Sequence, residues 1–216
     1  MEKFTNRHDA GKLLAAHLQN YKKKPNTIVL ALPRGGVPVA YEVAKALSLP
    51  LDVFVVRKLG VPGHEELAMG AIATGDTIII NEKIVQDLQV SKQAIEQVLD
   101  SEQKELKRRE MLYRSDTQFP ALKDKTVILV DDGIATGATV RAAIKALRVQ
   151  KPAEIILAVP VAARPTFDEI AKEVDVFICP LIPLHFYAVG AWYEDFSQTT
   201  DNEVSDLLKN ANQVKS

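Results

Sequence analysis

Short apolar runs bounded by turn residues alternate along most of this chain with segments whose apolar positions recur at helical spacing. Leu13, Leu14, Leu18 and Tyr21 set one apolar stripe on a helix over 8–21, and NTIVLALP at 26–33 is a β-branched run between prolines, the pattern of a buried strand. The alternation continues with a helix over 36–48, a strand in LDVFVVRK (51–58), a strand in TVILVDD (126–132) and a helix over 137–149. A strand in EIILAVPV (154–161), a helix over 165–172 and a strand in VDVFICP (174–180) follow. Apolar strands separated by helical lengths predict βαβ crossovers. The expected fold class is α/β, an open parallel sheet of about five strands with helices on both faces.

Residues 60–124 interrupt this rhythm with more chain than a crossover needs, so they are expected to be a lid or an added packing surface. The pattern predicts a hairpin through MGAIATGDTIII and a charged helix from Ser91 to about Arg114. In that helix KELKRRE interleaves acids with bases and has no aromatic before Tyr113, which reads as a solvated face rather than an RNA-binding patch. GAIATGDT (70–77) echoes GIATGAT (133–139) and fits the start of a Walker A loop, but Asp76 stands where a cation would meet phosphate. A hairpin turn is expected there. The tail TDNEVSDLLKNA pairs Thr200 with Glu203 in a capping-box pattern and predicts a closing helix. The chain is expected to be one domain, with a core over 26–180, the 60–124 insertion, and a hood from 1–25 and 181–216.

Composition narrows the function classes. With 216 residues, 47% of them hydrophobic and 25% charged, the chain suits a globular domain with a real core. Its 27 basic and 28 acidic residues give a net charge of -1, which removes any general attraction to nucleic acid. No window reaches the roughly 18 apolar residues of a membrane span, and MEKFTNRHDAGKLL lacks a signal core. A cytoplasmic protein with no membrane partner is expected. Cys179, the single cysteine, sits in an apolar run and is expected to be a buried structural thiol. His64, Glu65 and Glu66 have no companions at zinc spacing, so no direct metal ligands are expected.

The chemistry concentrates in VILVDDGIATGAT, residues 127–139. In an open parallel sheet ligands bind beyond the carboxyl ends of the strands. Gly133 and Gly137 permit close backbone approach, and helix-start amides with the Thr136 and Thr139 hydroxyls can surround a phosphate. Asp131 and Asp132 would repel that phosphate if they faced it. Placed just before the loop, they can instead accept hydrogen bonds from a neighbouring sugar diol. The expected ligand is a sugar phosphate.

This segment resembles the phosphoribosyl pyrophosphate signature of type I phosphoribosyltransferases: four apolar residues, paired acids, two linkers, then Ala, Thr and Gly positions including Ala135 and Ala138. Gly133 departs from the family's more usual aliphatic residue. LPRGGVPVA, VVRKLGVPGHEELAMGAIA and FYAVGAWYEDF together resemble a subgroup described as predicted phosphoribosyltransferases. The resemblance implies transfer of a phosphoribosyl group from phosphoribosyl pyrophosphate to a nitrogenous base, with Mg²⁺ carried by the substrate, and it allows a homodimer. It further implies that Asp131 and Asp132 orient the ribose, that Gly133, Ala135, Thr136, Gly137, Ala138 and Thr139 hold the 5′-phosphate, and that the long insertion stands in the place of a flexible catalytic loop.

ALPRGG is similar to the family's pyrophosphate loop, with Arg34 as the cation and Gly35 and Gly36 freeing amides. Taken alone it is also a plain strand-to-helix turn. The Arg34–Gly35 peptide is expected to be cis by the same resemblance. Arg57 and Lys58, taken to end the second strand at the same sheet edge, are either leaving-group contacts with a catalytic part for Lys58 or a surface pair. Phe186, Tyr187 and Trp192 either stack the base or pack the terminal segment. Ala135 stands where members acting on 6-oxopurines commonly carry an aspartate, so hypoxanthine and guanine are expected to be poor acceptors. Two other classes compete: a regulator that keeps the sugar-phosphate site without turnover, and a phosphohydrolase using Asp131 as nucleophile. The latter is weakened by the absence of a DxD spacing at Asp131.

Overall fold

The computed structural model of the chain describes residues 3–114 and 118–213. The parts of the expected hood at 1–2 and 214–216, and of the insertion at 115–117, lie outside the described residues. In chain order the strands are β1 (Thr27–Ala31), β2 (Leu51–Val53), β3 (Val56–Val61), β4 (His64–Ala73), β5 (Thr77–Ile80), β6 (Thr126–Val130), β7 (Glu154–Ala158) and β8 (Val176–Ile178). The α-helices are α1 (Arg7–Ala16), α2 (Gly36–Leu47), α3 (Glu82–Asp87), α4 (Lys92–Arg114), α5 (Ala138–Val149), α6 (Arg164–Ile170) and α7 (Asp201–Gln213).

Local chemistry sets the ends of these helices. The Asn6 side chain accepts from Asp9 N at 2.9 Å to start α1, and Thr200 Oγ1 accepts from Glu203 N at 3.1 Å to start α7. Ser91 Oγ accepts from Ala94 N at 3.2 Å before α4. Each hydroxyl or amide oxygen satisfies an amide that has no partner within its helix.

A five-stranded sheet has the order β2-β1-β6-β7-β8, with every pairing parallel. Its core strands are apolar on both faces. Val29, Ala31, Ile128, Val130, Ile156 and Ala158 pack with residues of α1, α2 and α7. Ile28, Leu30, Val127, Leu129, Ile155 and Leu157 pack with residues of α5 on the opposite face. Full burial of the valine, leucine and isoleucine side chains among these stabilises by about 1.5–3 kcal/mol each. Among the described residues no helix is long and apolar enough to cross a membrane.

The order reverses between β1 and β6. From β1 the chain crosses through α2 to β2 on one side, and from β6 it crosses through α5 to β7 on the other. Ala31 and Val130 are register partners, so the loops after these two strands leave the sheet side by side. That is the crevice where open α/β sheets bind ligands.

Two expected elements differ. The helix over 8–21 ends at Ala16, followed by a 3₁₀ turn at Gln19–Tyr21. The strand over 51–58 is divided: β2 stays in the parallel sheet, while β3 joins β4 and β5 in a separate antiparallel sheet. β1 ends at Ala31, so Phe54, whose N donates to Ala31 O at 2.9 Å, is the last residue that the parallel sheet holds; beside the break, Arg114 Nη2 donates to Val53 O at 2.5 Å and its Nε to Asp52 Oδ1 at 2.7 Å. The last carbonyl of β2 is thereby taken by a side chain, and Val55 turns to Thr74, whose N donates to Val55 O at 2.9 Å. The hairpin expected over 69–80 is formed by β4 and β5, with Gly75 and Asp76 turning at φ 83° and 53°.

Candidate functional site

Asp131 and Asp132 follow Val130 at the carboxyl end of β6. Asp131 Oδ1 accepts from Asp132 N at 2.8 Å, and Asp132 Oδ2 accepts from Arg7 Nε at 2.9 Å. The backbone carbonyl of Asp132 accepts from Tyr193 OH at 2.6 Å. Both acids keep an opening to solvent, with 14% of the Asp132 side chain exposed, but protein crowds them on their other sides. Burial holds the Asp131 carboxyl well above the ordinary carboxylate range, and the neighbouring Asp132 charge adds to this. Burial also raises Asp132, opposed by Arg7. Tyr193 is raised by burial first and then by Asp132.

The ALPRGG turn packs directly on these acids. A Cβ built on Gly35 would lie 2.1 Å from Asp132 Oδ2, and one on Gly36 would lie 2.8 Å from Val130 O. Both are closer than a side chain tolerates, so glycine is required for the two loops to meet. The cis peptide is Pro33–Arg34 rather than the expected Arg34–Gly35. At Gly133 a Cβ would meet Val189 Cγ1 at 2.6 Å; the hood fills the space that an aliphatic residue would take.

Residues 135–139 lead into α5. Gly137 occupies the left-handed region at φ 76° immediately before the helix. The first helical bond runs from Arg141 N to Gly137 O at 2.9 Å, so earlier amides point out of the helix end. Ala135, Thr136, Ala138 and Thr139 are exposed. Among the described residues neither threonine hydroxyl has a protein hydrogen-bond partner. The loop is held from below: Thr166 Oγ1 donates to Ala135 O at 2.6 Å, and Ile134 N donates to Val161 O at 2.9 Å. An open anion cradle at a helix start, with acids one strand-end away, suits a phosphorylated polyol.

Arg34 sits in the adjoining turn, its Nη1 3.8 Å from Asp201 Oδ1. The same carboxylate oxygen accepts from Tyr113 OH at 2.8 Å. Burial and that contact push the Tyr113 hydroxyl up to about 12. Arg57 and Lys58 are elsewhere. They lie on β3, not at the end of a parallel strand: Arg57 Nε is 2.7 Å from Glu102 Oε2, and Lys58 Nζ is 3.4 Å from Glu66 O. Both line a cleft of about 580 Å³ with Gly60, Pro62 and Glu65, and no residue of 131–139 lines it. The division of the 51–58 strand carries them there.

Phe186 and Trp192 are partly buried against Phe4, Val161 and Tyr193 in a small cluster of the hood, whereas Tyr187 is 88% exposed. Cys179 is partly buried, and its thiol is pushed up to about 12 by burial. The sequence patterns named neither Arg7 nor Tyr193 nor Asp201. Tyr193 lies within FYAVGAWYEDF and Asp201 within TDNEVSDLLKNA, but neither segment marks the residue as part of the site, and each partner is 61 to 167 positions away in the chain (Tyr193–Asp132, Arg7–Asp132 and Arg34–Asp201).

The profile of the phosphoribosyl transferase domain matches residues 5–190. Over 211 residues, 98% of this chain, the sequence is 42% identical to a protein of Mycobacterium tuberculosis provisionally named a phosphoribosyl transferase, found in strains H37Rv and CDC 1551. The match covers 47% of those proteins, so the chain spans about half the length of the curated relatives it matches. The crystal structure of the protein TT1426 from Thermus thermophilus is similar at 36% identity with a TM-score of 0.83, covering 96% of this chain and 98% of that one. The chain belongs to the phosphoribosyl transferase domain family.

Proposed function

We propose that this protein transfers a phosphoribosyl group from phosphoribosyl pyrophosphate to a nitrogenous base, releasing pyrophosphate, in the cytoplasm. The observation that carries it is the juxtaposition at the β1/β6 crevice: the acid pair of 131–132, the open helix start of 135–139 and the Arg34 turn, which packs on Asp132 through Gly35. In this reading the amides and hydroxyls of 135–139 hold the 5′-phosphate. Asp131 and Asp132 orient the ribose hydroxyls, and their negative charge favours the positive ribose ring of the transition state. Arg34 leaves Asp201 to meet the departing pyrophosphate.

Magnesium belongs to the substrate in this reading. Among the described residues no group of three or more His, Cys, Asp or Glu side chains gathers to hold a metal. The site's two acids also spend oxygens on Asp132 N and Arg7, a donor set that suits hydroxyl recognition. Bound to pyrophosphate, the ion would neutralise charge on the leaving group.

The acceptor is proposed to be a base other than hypoxanthine or guanine, since the Ala135 methyl cannot take a proton. The test is pyrophosphate release from phosphoribosyl pyrophosphate and Mg²⁺ with adenine, orotate, uracil, hypoxanthine and guanine, run beside Arg34→Ala. Turnover with one of the first three, and loss of pyrophosphate affinity but not ribose 5-phosphate affinity in Arg34→Ala, is the expected result. Tight binding of phosphoribosyl pyrophosphate without turnover on any base would make the protein a regulator instead.

A further inference from the structure

Arg7 is the first residue of α1, yet it is only 11% exposed, and its guanidinium has three fixed contacts. Nε donates to Asp132 Oδ2 at 2.9 Å, Nη1 donates to Ser197 O at 2.7 Å, and Cζ lies 4.0 Å from the centre of the Phe196 ring. Phe196 in turn stacks at 5.0 Å on Tyr193, whose hydroxyl donates to the Asp132 carbonyl at 2.6 Å. Both ends of the chain therefore converge on one acid of the crevice. A Cβ on Gly35 would lie 2.1 Å from Asp132 Oδ2 and 3.2 Å from Arg7 Nε. The first glycine of the Arg34 turn is thus what leaves room for this ion pair.

We propose that Arg7 is a positioning residue of the sugar site, holding Asp132 in one rotamer as a carboxylate that accepts from a ribose hydroxyl. This rests on the phosphoribosyl reading above. The planar guanidinium serves two separate acceptors from adjacent nitrogens, so it resists rotation in a way that a lysine ammonium would not. Its contact to Asp132 runs through Oδ2 and leaves Oδ1 for the sugar.

The charge matters as much as the geometry. Asp132 faces Arg7 from α1, Asp131 beside it and Tyr193 from the hood, while Asp195 also faces Arg7. Burial favours the protonated form of Asp132, and Arg7 opposes it. Without Arg7 only a backbone hydrogen bond opposes the burial effect. Asp132 then stays protonated to higher pH and offers a donor where the sugar hydroxyl requires an acceptor. The acidic limb of ribose binding should move upward in pH.

Calorimetric binding of ribose 5-phosphate and of inorganic phosphate to the full chain, across the acidic to neutral range, tests this in Arg7→Gln and Arg7→Lys. Ribose 5-phosphate titrates identically in every variant, so differences between proteins report the site. Arg7→Gln is expected to weaken ribose 5-phosphate by on the order of tenfold, the effect of losing a hydrogen bond to a charged group, and to move the acidic limb upward. Inorganic phosphate should stay within about twofold, because the 135–139 cradle is untouched. Arg7→Lys should return the limb to its wild-type position while leaving the affinity reduced. If Arg7→Gln does not fold, Arg7→Lys decides, and wild-type ribose 5-phosphate affinity in it overturns the proposal. So does equal loss of both ligands in either variant, or an unmoved limb in Arg7→Gln. A wild-type protein that prefers inorganic phosphate to ribose 5-phosphate overturns the sugar-phosphate reading itself, and the role of Arg7 with it.

Discussion

Arg34 Nη1 lies 3.8 Å from Asp201 Oδ1, so the guanidinium of the β1 turn rests against the first residue of the last helix. The side chains are 36% and 40% exposed, and exposed pairs of this kind are worth about 0.2–1 kcal/mol. A pyrophosphate that recruits Arg34 must displace this tether. Asp201→Asn keeps an oxygen for Tyr113 while removing the charge, and is expected to tighten pyrophosphate binding by up to about fivefold. Calorimetry with pyrophosphate checks it; weaker binding in the variant would mean that Asp201 does not compete for Arg34.

The hydroxyls of Thr136 and Thr139 are exposed beside the α5 amides. Thr136→Ala combined with Thr139→Ala is expected to weaken ribose 5-phosphate by about 1.5–3 kcal/mol, the range for hydrogen bonds to a charged group. Thermal stability should change little, because neither side chain is buried. An unaltered affinity in the double variant would move the phosphate away from this loop.

Arg114 makes a different kind of contact. Its side chain is 7% exposed and joins Asp52 at 2.7 Å and Glu110 at 3.1 Å while holding the Val53 carbonyl. Arg114→Met leaves Asp52 crowded and unpaired, in a place where burial already raises its carboxyl. Removing one partner of a buried pair costs about 3–5 kcal/mol, so the urea midpoint should fall markedly. A midpoint near that of the wild type would show that the pair does not anchor α4 to the sheet.

The strands and helices around the crevice were legible because their apolar runs are local signals. VILVDD and GIATGAT announce a strand, an acid pair and a helix start within thirteen consecutive residues. The division of LDVFVVRK was not legible, because it depends on where β1 stops and on Thr74, 19 positions further along, arriving to bond Val55. The same reason hides Arg7. Nothing in FTNRHDA distinguishes its arginine until folding sets it 2.9 Å from Asp132, 125 positions away. Periodicity reports which face an element buries, but it says nothing about which distant element arrives there.

Asp131 sets function against stability. Its carboxyl is held well above the ordinary carboxylate range by burial and by Asp132. A carboxyl whose folded value is raised binds its proton more tightly in the folded state. Stability from that proton is complete below the ordinary carboxylate value and is lost as pH rises through the folded value. Ionising Asp131 as pH rises therefore weakens the fold. Asp131→Asn keeps an oxygen for Asp132 N, which now donates at 2.8 Å to Asp131 Oδ1, and removes the buried charge. The variant is expected to melt a few degrees higher than the wild type at neutral pH, since about 1 kcal/mol moves the midpoint by about 2–4 °C in a domain of this size. The difference should disappear below the ordinary carboxylate range, where the wild-type carboxyl is protonated folded and unfolded alike. Ribose 5-phosphate affinity should fall in the same variant, because an amide carries no charge to strengthen a hydroxyl hydrogen bond. Scanning calorimetry at acidic and neutral pH reads the sign: an Asp131→Asn protein that melts below the wild type at neutral pH would show that the ionised acid stabilises the crevice.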